Sequence, residues 1–188
     1  MTPIMAGMVS PSDPPRAGFQ GLKSIFEFTN HDGALVRANC GQAAAATFLT
    51  FHGKLAPTRD RPDRIMAAIE RAYPPDNIHG LFGTSRRCVT RICRRQGILL
   101  REIAGEDALR AELARGRPVI VMLGVPGGRL FNRIDLPGGH WMVAYGFDPE
   151  NVYLTNHGPM PWDEFRRGWA GFVPRLIGMR GKGLVAVS

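Results

Sequence analysis

The sequence contains only three cysteines, Cys40, Cys88 and Cys93, among its 188 residues. Such a small, odd number excludes a dense disulfide framework, so nothing in it argues for an oxidising compartment. Cys88 and Cys93 stand five residues apart with no Cys-x-x-Cys motif or histidine pair, which excludes a zinc site of the usual kind. We therefore expect reduced thiols, two of them packing residues, and no metal or other cofactor.

Long apolar runs are also missing. Residues 1–21 are interrupted by prolines and lack a basic segment followed by an apolar stretch, so they predict neither a signal peptide nor a membrane-spanning helix. We interpret 1–21 as a flexible leader and 22–188 as one domain, which is long enough to bury its own core. A nucleotide-binding loop is lacking too. These features predict a free-standing cytoplasmic protein, or one exported by a route without a classical signal peptide.

Acidic residues are scarce: 16 Asp and Glu stand against 24 Lys and Arg, giving a formal net charge of +8. That balance favours acidic partners without identifying one. The basic residues concentrate in and after one predicted helix, at Arg86, Arg87, Arg91, Arg94, Arg95 and Arg101. This cluster is either a solvated helix face or a docking patch for an acidic protein segment, a nucleic acid or an anionic membrane. No stacking aromatics accompany it, so a nucleic-acid partner ranks last.

The spacing of the apolar residues changes from helical to strand-like about halfway along the chain. Apolar residues at helical spacing, with glycine or proline behind them, predict helices in the first half, whereas β-branched runs predict strands in the second half. Helices are expected over 40–52, 61–75, 84–97, 106–116 and 162–170, and strands over 117–125, 140–147, 151–156, 172–179 and 183–188. A helical half followed by an antiparallel sheet predicts an α+β domain.

One cysteine lies where a nucleophile would be activated. Cys40 precedes Gly41 and opens an alanine-rich helix, and the partial positive charge of a helix N-terminus lowers the pKa of a thiol. Gly41 would let a substrate carbonyl approach the backbone, and the amide of Cys40 could donate to an oxyanion. A buried structural cysteine is an equally good interpretation of this stretch alone, because free cysteine is among the most buried residue types.

A histidine partner favours the catalytic interpretation. Of five histidines, His140 stands out because it follows two glycines and begins an apolar strand, where a polar ring has little packing purpose. The next predicted strand ends at Asn156. If residues 147–149 form a three-residue hairpin loop, His140 lies directly opposite Asn156, and opposed residues share a face of the sheet. A satisfied core histidine and a turn asparagine are the alternatives.

These motifs, taken in order, resemble the bacteriocin-processing (double-glycine leader) peptidase family of papain-like cysteine peptidases. The resemblance covers roughly residues 22–188, and 138–171 is its most specific part. It is carried by Cys-Gly opening a buried helix, "GTS" leading a helix that ends in "QGI", "RPVIVML", "GGHWMVAYGF", a strand ending in a polar residue, and "WDEFRRGWAG". The resemblance implies a papain-like fold and a triad of Cys40, His140 and Asn156.

The chain departs from the family pattern at two positions. Asparagine stands at 156 where the family usually has aspartate followed by proline, although papain itself uses asparagine in this role. Ala34 stands where the family has an oxyanion glutamine six residues before the cysteine, and the nearby amides of Gln20, Asn30 and Asn39 are not at that spacing. Losing one such donor costs about 100- to 1000-fold in rate.

The sequence thus predicts a cysteine peptidase that acts on a protein or peptide substrate of acidic character, with no membrane span. It would process a peptide leader or act as a toxin or effector. Deamidation and acyl transfer are alternatives, because both pass through the same thioester. A catalytically weak binding module on the same fold is a further alternative, suggested by Ala34. The sequence does not indicate an oligomeric state.

Overall fold

The computed structural model describes residues 7–9, 17–29, 39–56, 62–76, 83–130 and 134–187. The helices are α1 (Cys40–Phe51), α2 (Pro62–Ala72), α3 (Arg86–Arg95), α4 (Glu106–Ala114), α5 (Trp162–Trp169) and α6 (Phe172–Leu176). The strands are β1 (Gly7–Val9), β2 (Gln20–Gly21), β3 (Ile25–Glu27), β4 (Leu100–Ala104), β5 (Val119–Leu130), β6 (Ile134–Phe147), β7 (Asn151–Leu154), β8 (Gly158–Pro161) and β9 (Lys182–Ala186). This mixture of helices with one large antiparallel sheet confirms the predicted α+β class.

The large sheet has the order β4-β9-β5-β6-β7-β8, and β2 pairs with β6 beyond the end of β5. All its described pairings are antiparallel. One face packs against α1 and α3, and the other against α4 and α5. Because β5 and β6 are covered on both faces, their apolar residues run without alternation, as the sequence "VIVML" does. No helix in the described ranges is long and apolar enough to cross a membrane.

The helix α1 is buried almost all round. Ten of its twelve residues are buried, and four consecutive alanines let it lie close to the sheet on one side and to α2 and β3 on the other. The helix α3 is instead amphipathic, with Cys88, Val89, Ile92 and Cys93 inside. Both of its cysteines are fully buried in the core and form no disulfide. They are packing residues, as predicted.

One predicted strand is a helix. The sequence over 172–179 was expected to be a strand because its apolar residues favour one, but Phe172–Leu176 form α6. Pro174 explains the difference: a proline cannot donate to a sheet ladder, whereas the first turn of a helix needs no N–H from it. The short strands β4 and β8 had not been predicted, and β4 lies within the expected helical half.

The hairpin of β6 and β7 has a different register from the predicted one. Its loop is 148–150, Phe147 pairs with Val152, and a bulge lies between Ala144 and Gly146, beyond which Ala144 pairs with Leu154. Continuing that pairing outward places Asn156 level with Met142. The expected direct opposition of His140 and Asn156 is therefore wrong by two residues, because the bulge and the Asp148 loop shift the register.

Parts of the segment expected to be a flexible leader are paired with the domain. Gly7–Val9 pair with Ile25–Glu27, and Gln20–Gly21 pair with the Phe147 end of β6. The backbone N–H of Leu22 also donates to the carbonyl of Tyr145, at 2.8 Å. The remainder of 1–16 lies outside the described residues, and the boundary at residue 22 stays a prediction.

Candidate active site

Cys40 is the first residue of α1 and is only 9% exposed. The first bond of the helix runs from the N–H of Ala43 to the carbonyl of Asn39, at 3.0 Å. The N–H groups of Cys40 and Gly41 therefore have no partner inside the helix. The backbone amides of Trp141, Gly41 and Cys40 favour the ionised form of the Cys40 thiol, so Trp141 lies next to the sulfur. Since Trp141 follows His140 in β6, this contact brings Cys40 to the part of that strand that carries the predicted histidine.

Burial and neighbouring groups set the protonation states of the Cys40 thiol and the His140 imidazole before substrate binds. Burial raises the pKa of the Cys40 thiol, and the three backbone amides offset this only in part. Burial also lowers the pKa of the His140 imidazole, and the charge of His157 lowers it further. At neutral pH these shifts favour an uncharged thiol and an uncharged imidazole. An imidazole in that form is ready to accept a proton.

Thr84 ties the Cys40 helix to the His140 strand. Its hydroxyl donates to Oε1 of Gln42 at 2.5 Å, and its carbonyl accepts from the indole N–H of Trp141 at 2.8 Å. A Cβ at Gly41 would lie 2.6 Å from the Cβ of Thr84. Gly41 is thus required for close packing against Thr84, a reason that the sequence alone did not suggest. The "GTS" motif positions the start of α1 against the start of the apolar part of β6.

His140 is partly exposed and begins the apolar stretch of β6 (140–147) near the middle of that strand, directly opposite Leu123 of β5. It therefore shares the face of the sheet that packs against α5. The glycine before it is explained by α6, because a Cβ at Gly139 would lie 2.6 Å from Cγ1 of Val173. The close approach expected at this glycine is made by a side chain of α6.

A cavity of about 270 Å³ opens on the same face as His140. Its walls combine apolar side chains with two charged residues of α5, Glu164 and Arg167. It is lined by Leu123, Gly124, Val125, Met160, Glu164, Arg167 and Gly168. The volume is below the range of about 300–1,000 Å³ typical of pockets for whole ligands, so it suits a single side chain.

Asn156 lies in the turn between β7 and β8 and is partly exposed. Its φ of 62° is positive, which is unique among the non-glycine residues of the described ranges. Asparagine tolerates this left-handed conformation better than most residues, so the turn itself gives a reason for its identity. The described hydrogen bonds include none between His140 and Asn156. The neighbouring His157 is the residue whose charge reaches His140.

His157 was not among the predicted site residues, although its position directly after Asn156 is a signal in the sequence. His52 is excluded as the partner of Cys40, because it caps the opposite end of α1, about 18 Å away at 1.5 Å per residue. His31 and His79 lie outside the described residues, as do Asn30 and Ala34.

The side-chain amides of the described residues near Cys40 in the sequence are engaged elsewhere or distant. Asn39 is fully buried and donates to Oε1 of Glu70 at 2.6 Å. Gln42 donates to the carbonyl of Tyr73 at 2.9 Å while it accepts from Thr84. Gln20 pairs with Phe147, seven residues from His140 and about 23 Å along the strand. Within the described residues, the amides free to face a substrate at Cys40 are those of the backbone.

A buried cysteine at a helix N-terminus, packed against the histidine-bearing end of an antiparallel sheet, defines the papain-like cysteine peptidase fold. Two solved structures share it. A C39-like peptidase from Bacillus anthracis has a TM-score of 0.52 and 13% identity, and the match covers 80% of this chain and 88% of that one. The peptidase domain of Streptococcus ComA, described as a bifunctional ABC transporter involved in quorum sensing, has a TM-score of 0.53 and 16% identity, with 80% and 92% covered.

These similarities confirm the predicted resemblance at the level of the fold. No protein-family model and no curated protein matches the chain. The roles of individual residues therefore have to be argued from their own surroundings.

Proposed function

We propose that this protein is a cysteine peptidase in which Cys40 is the nucleophile, His140 the general base and Asn156 the group that orients the imidazole. One observation carries the proposal. The Cys40 sulfur lies at the start of α1, next to the backbone amide of Trp141, the residue after His140, and that amide favours the ionised thiol. A thiol beside a histidine at a helix N-terminus is the usual arrangement for nucleophilic catalysis by cysteine.

The reaction begins with a neutral pair. The Cys40 sulfur attacks the carbonyl carbon of the peptide bond while His140 takes the thiol proton, and the carbonyl oxygen gains the negative charge. Collapse of this intermediate expels the amine, which leaves with the proton from His140, and a thioester remains on Cys40. A water molecule then attacks the thioester, with His140 again accepting a proton, and releases the acid product and the thiol.

The oxyanion is stabilised by backbone donors. The N–H groups of Cys40 and Gly41 have no partner inside the helix, and the start of a helix carries partial positive charge. These donors compensate for Ala34 at the position of the family's glutamine. Because the side-chain donor is missing, we expect peptide hydrolysis to be about 100-fold or more slower than in a peptidase that has one.

The substrate is a peptide that presents an apolar side chain to the cavity beside His140. Leu123, Val125 and Met160 supply its apolar wall. Such an enzyme would remove a leader peptide or act as a toxin or effector on a target protein. The role as a toxin or effector is tested by expressing the parent chain and the Cys40→Ala variant separately in cells. Only the parent chain should slow growth of the cells.

The pH dependence of iodoacetamide labelling at each cysteine, read by peptide mass spectrometry, tests the proposal. We expect Cys40 to label fastest, with a rate that rises as His140 loses its proton, below the ordinary pKa of 6.5. Cys88 and Cys93 are fully buried, and burial raises the pKa of Cys93 to about 12, so both serve as internal references.

The deciding comparison is between His140→Ala and the matched variant His157→Ala. If His140 activates the thiol, labelling of Cys40 slows only in the first variant. Equal labelling of Cys40 in the parent and in His140→Ala would contradict the enzyme and favour a binding module on the same fold.

A further inference from the structure

The helix α1 begins without the side-chain cap that its own sequence offers. Asparagine is among the best N-cap residues, because its side-chain oxygen can accept from the second or third N–H of a helix. Asn39 occupies the N-cap position of α1, yet its side chain caps no N–H group. The helix α3 shows the usual arrangement, since Ser85 at its N-cap accepts from the N–H of Cys88 at 3.2 Å.

A buried carboxylate holds the Asn39 side chain away from the helix. The Nδ2 of Asn39 donates to Oε1 of Glu70, in α2, at 2.6 Å, and the two residues are 0% and 5% exposed. An ionised carboxylate accepts hydrogen bonds and donates none, so Glu70 fixes which side of the amide faces it, and Oδ1 points elsewhere. The backbone of Asn39 differs from that of a capping residue as well, with a ψ of 12° against the extended 159° of Ser85.

The side-chain oxygen of Asn39 has no hydrogen-bond partner among the described residues, although it is buried. A buried acceptor without a donor lowers stability, and such a group in a folded protein calls for an explanation. The donors that an N-cap asparagine would use are close by in the sequence. They are the N–H groups of Gly41 and Gln42, the second and third residues of α1.

The chemistry proposed at Cys40 explains why these donors stay uncapped. The amides of Cys40 and Gly41 favour the ionised thiol, and the same two amides are proposed to stabilise the oxyanion. An N–H that donates to the Asn39 oxygen is no longer fully available to either group. Stability at the start of α1 and reactivity at Cys40 therefore compete for the same donors.

We infer that Glu70 is a positioning residue: it holds Asn39 away from the N-terminus of α1 and so keeps the backbone N–H of Gly41 available to the reacting groups. This inference rests on the proposed function for the use of that N–H. Glu70 does not touch the substrate. It lowers the stability of the first turn of α1 and raises the reactivity of Cys40 towards a carbonyl carbon.

The first test compares Asn39→Ser with Asn39→Ala in the full chain. Both substitutions remove the amide that Glu70 binds, but only serine can cap α1, as Ser85 caps α3. One reagent is p-nitrophenyl acetate, which acetylates a thiol through an oxyanion and releases p-nitrophenolate. The other is iodoacetamide, which alkylates a thiol and releases iodide without forming an oxyanion. Peptide mass spectrometry measures both rates at Cys40, and urea unfolding measures stability.

We expect acetylation of Cys40 to be about 100-fold slower in Asn39→Ser than in Asn39→Ala, as for loss of one oxyanion donor. Alkylation should slow by less, because iodoacetamide forms no oxyanion. The urea midpoint of Asn39→Ser should be the higher of the two, since its helix is capped. The same ratio of acetylation to alkylation in both variants would overturn the inference.

The second test changes Glu70 itself. Glu70→Met removes the acceptor at similar volume and should release Asn39, which lowers the ratio of acetylation to alkylation. Glu70→Gln still holds the Asn39 amide and should keep the parent ratio. Adding Asn39→Ala to Glu70→Met should restore the ratio, which general damage to the fold would not do. Glu112→Met, at another buried glutamate, is the matched control and should keep the parent ratio.

Two outcomes of the second test contradict the inference: a parent-like ratio in Glu70→Met, or a ratio that stays low when Asn39→Ala is added. The active site is judged separately, from the parent chain and its His140→Ala variant. If Cys40 of the parent reacts no faster than Cys88 with either reagent, the proposed function fails and the positioning role fails with it. If Cys40 is reactive but the ratios do not change, only the positioning role fails.

Discussion

The two ends of the apolar stretch of β6, residues 140–147, are built differently. At the Phe147 end, Asp148 is fully buried and accepts from the N–H groups of Glu150 and Asn151 and from the hydroxyl of Tyr153, at 2.6–2.7 Å. Its carbonyl also accepts from the indole of Trp162 at 3.0 Å. At the other end, His140 is partly exposed, follows two glycines and adjoins a cavity.

This difference separates stability from chemistry within one strand. The closed end uses the carboxylate and the carbonyl of Asp148 to fix the hairpin, whereas the open end carries a partly exposed imidazole that is uncharged at neutral pH. Substitutions at one end should therefore change the free energy of unfolding, and those at the other should change the reactivity of Cys40. Four predictions test how completely the two ends are separated.

The largest expected effect is at the open end. We expect His140→Ala to slow labelling of Cys40 by about 100-fold or more, because the general base for the thiol proton is removed. The free energy of unfolding should change by less than about 1 kcal/mol, since the ring is partly exposed. Rates of labelling and urea unfolding curves measure the two quantities. A large loss of stability would show that His140 is a structural residue.

At the closed end we expect the opposite result. Asp148→Ala leaves the N–H groups of Glu150 and Asn151 and the hydroxyl of Tyr153 without their acceptor, which should lower the free energy of unfolding by about 2–4 kcal/mol. Urea unfolding of the variant measures this loss. The labelling rate of Cys40 in the folded variant should stay within twofold of the parent value. A slower rate would show that the hairpin end also controls the site.

Asn156 tests whether the neighbouring turn belongs to the open end. Asn156→Gly keeps the positive φ but removes the amide, and we expect it to slow labelling of Cys40 about tenfold, less than loss of the charged orienter in serine proteases. Asn156→Asp should retain the rate, and His157→Gln is the matched control. If Asn156→Gly labels like the parent chain, the asparagine serves only the turn.

The smallest expected effect is the loss of the stability contributed by Asp148 as the pH falls. Although burial of Asp148 raises its pKa, the hydrogen bonds from Tyr153, Asn151 and Glu150 lower it more, to below its ordinary value of 3.8. A depressed pKa means that this group stabilises the fold above pH 3.8 and that the contribution is lost as the pH falls through the lower, folded-state value. We expect the difference in urea midpoint between the parent and Asp148→Asn to be constant above pH 5 and to shrink below pH 3.8. A difference independent of pH would exclude the carboxylate charge as its cause.

The helical elements followed from the sequence because their signals are local. The serine before α3 caps it by accepting from the N–H of Cys88, and glycine or proline follows the helices where the sequence placed their ends. Cys40 was identifiable for the same reason, since it begins α1, whereas His140 lies six residues after the start of β6 and was identified from the two glycines before it and the apolar stretch after it. The helix α6 was missed because strand propensity outweighed the single proline, and β8 because it is short and contains two prolines.

The register of the hairpin depends on contacts that the local sequence does not show. The sequence predicted a three-residue loop over 147–149. The Asp148 carboxylate instead organises residues 148–151, and the bulge after Ala144 then shifts the pairing. The reason for Gly41 likewise lies in Thr84, 43 residues later in the sequence. Such tertiary contacts decide the geometry of the candidate site, and they cannot be inferred from the periodicity of apolar residues in the sequence.

The position of β9 has a consequence for biosynthesis. This strand, the last one described along the chain, lies between β4 and β5 in the sheet and bonds to both. On the ribosome, the gap between β4 and β5 stays open until residues 182–186 have been made and have left the exit tunnel. The pairing with β4 spans some 80 residues of sequence, and contacts of such long range form slowly. The cell therefore completes the sheet that carries His140 only after residues 182–186 have emerged, long after Cys40.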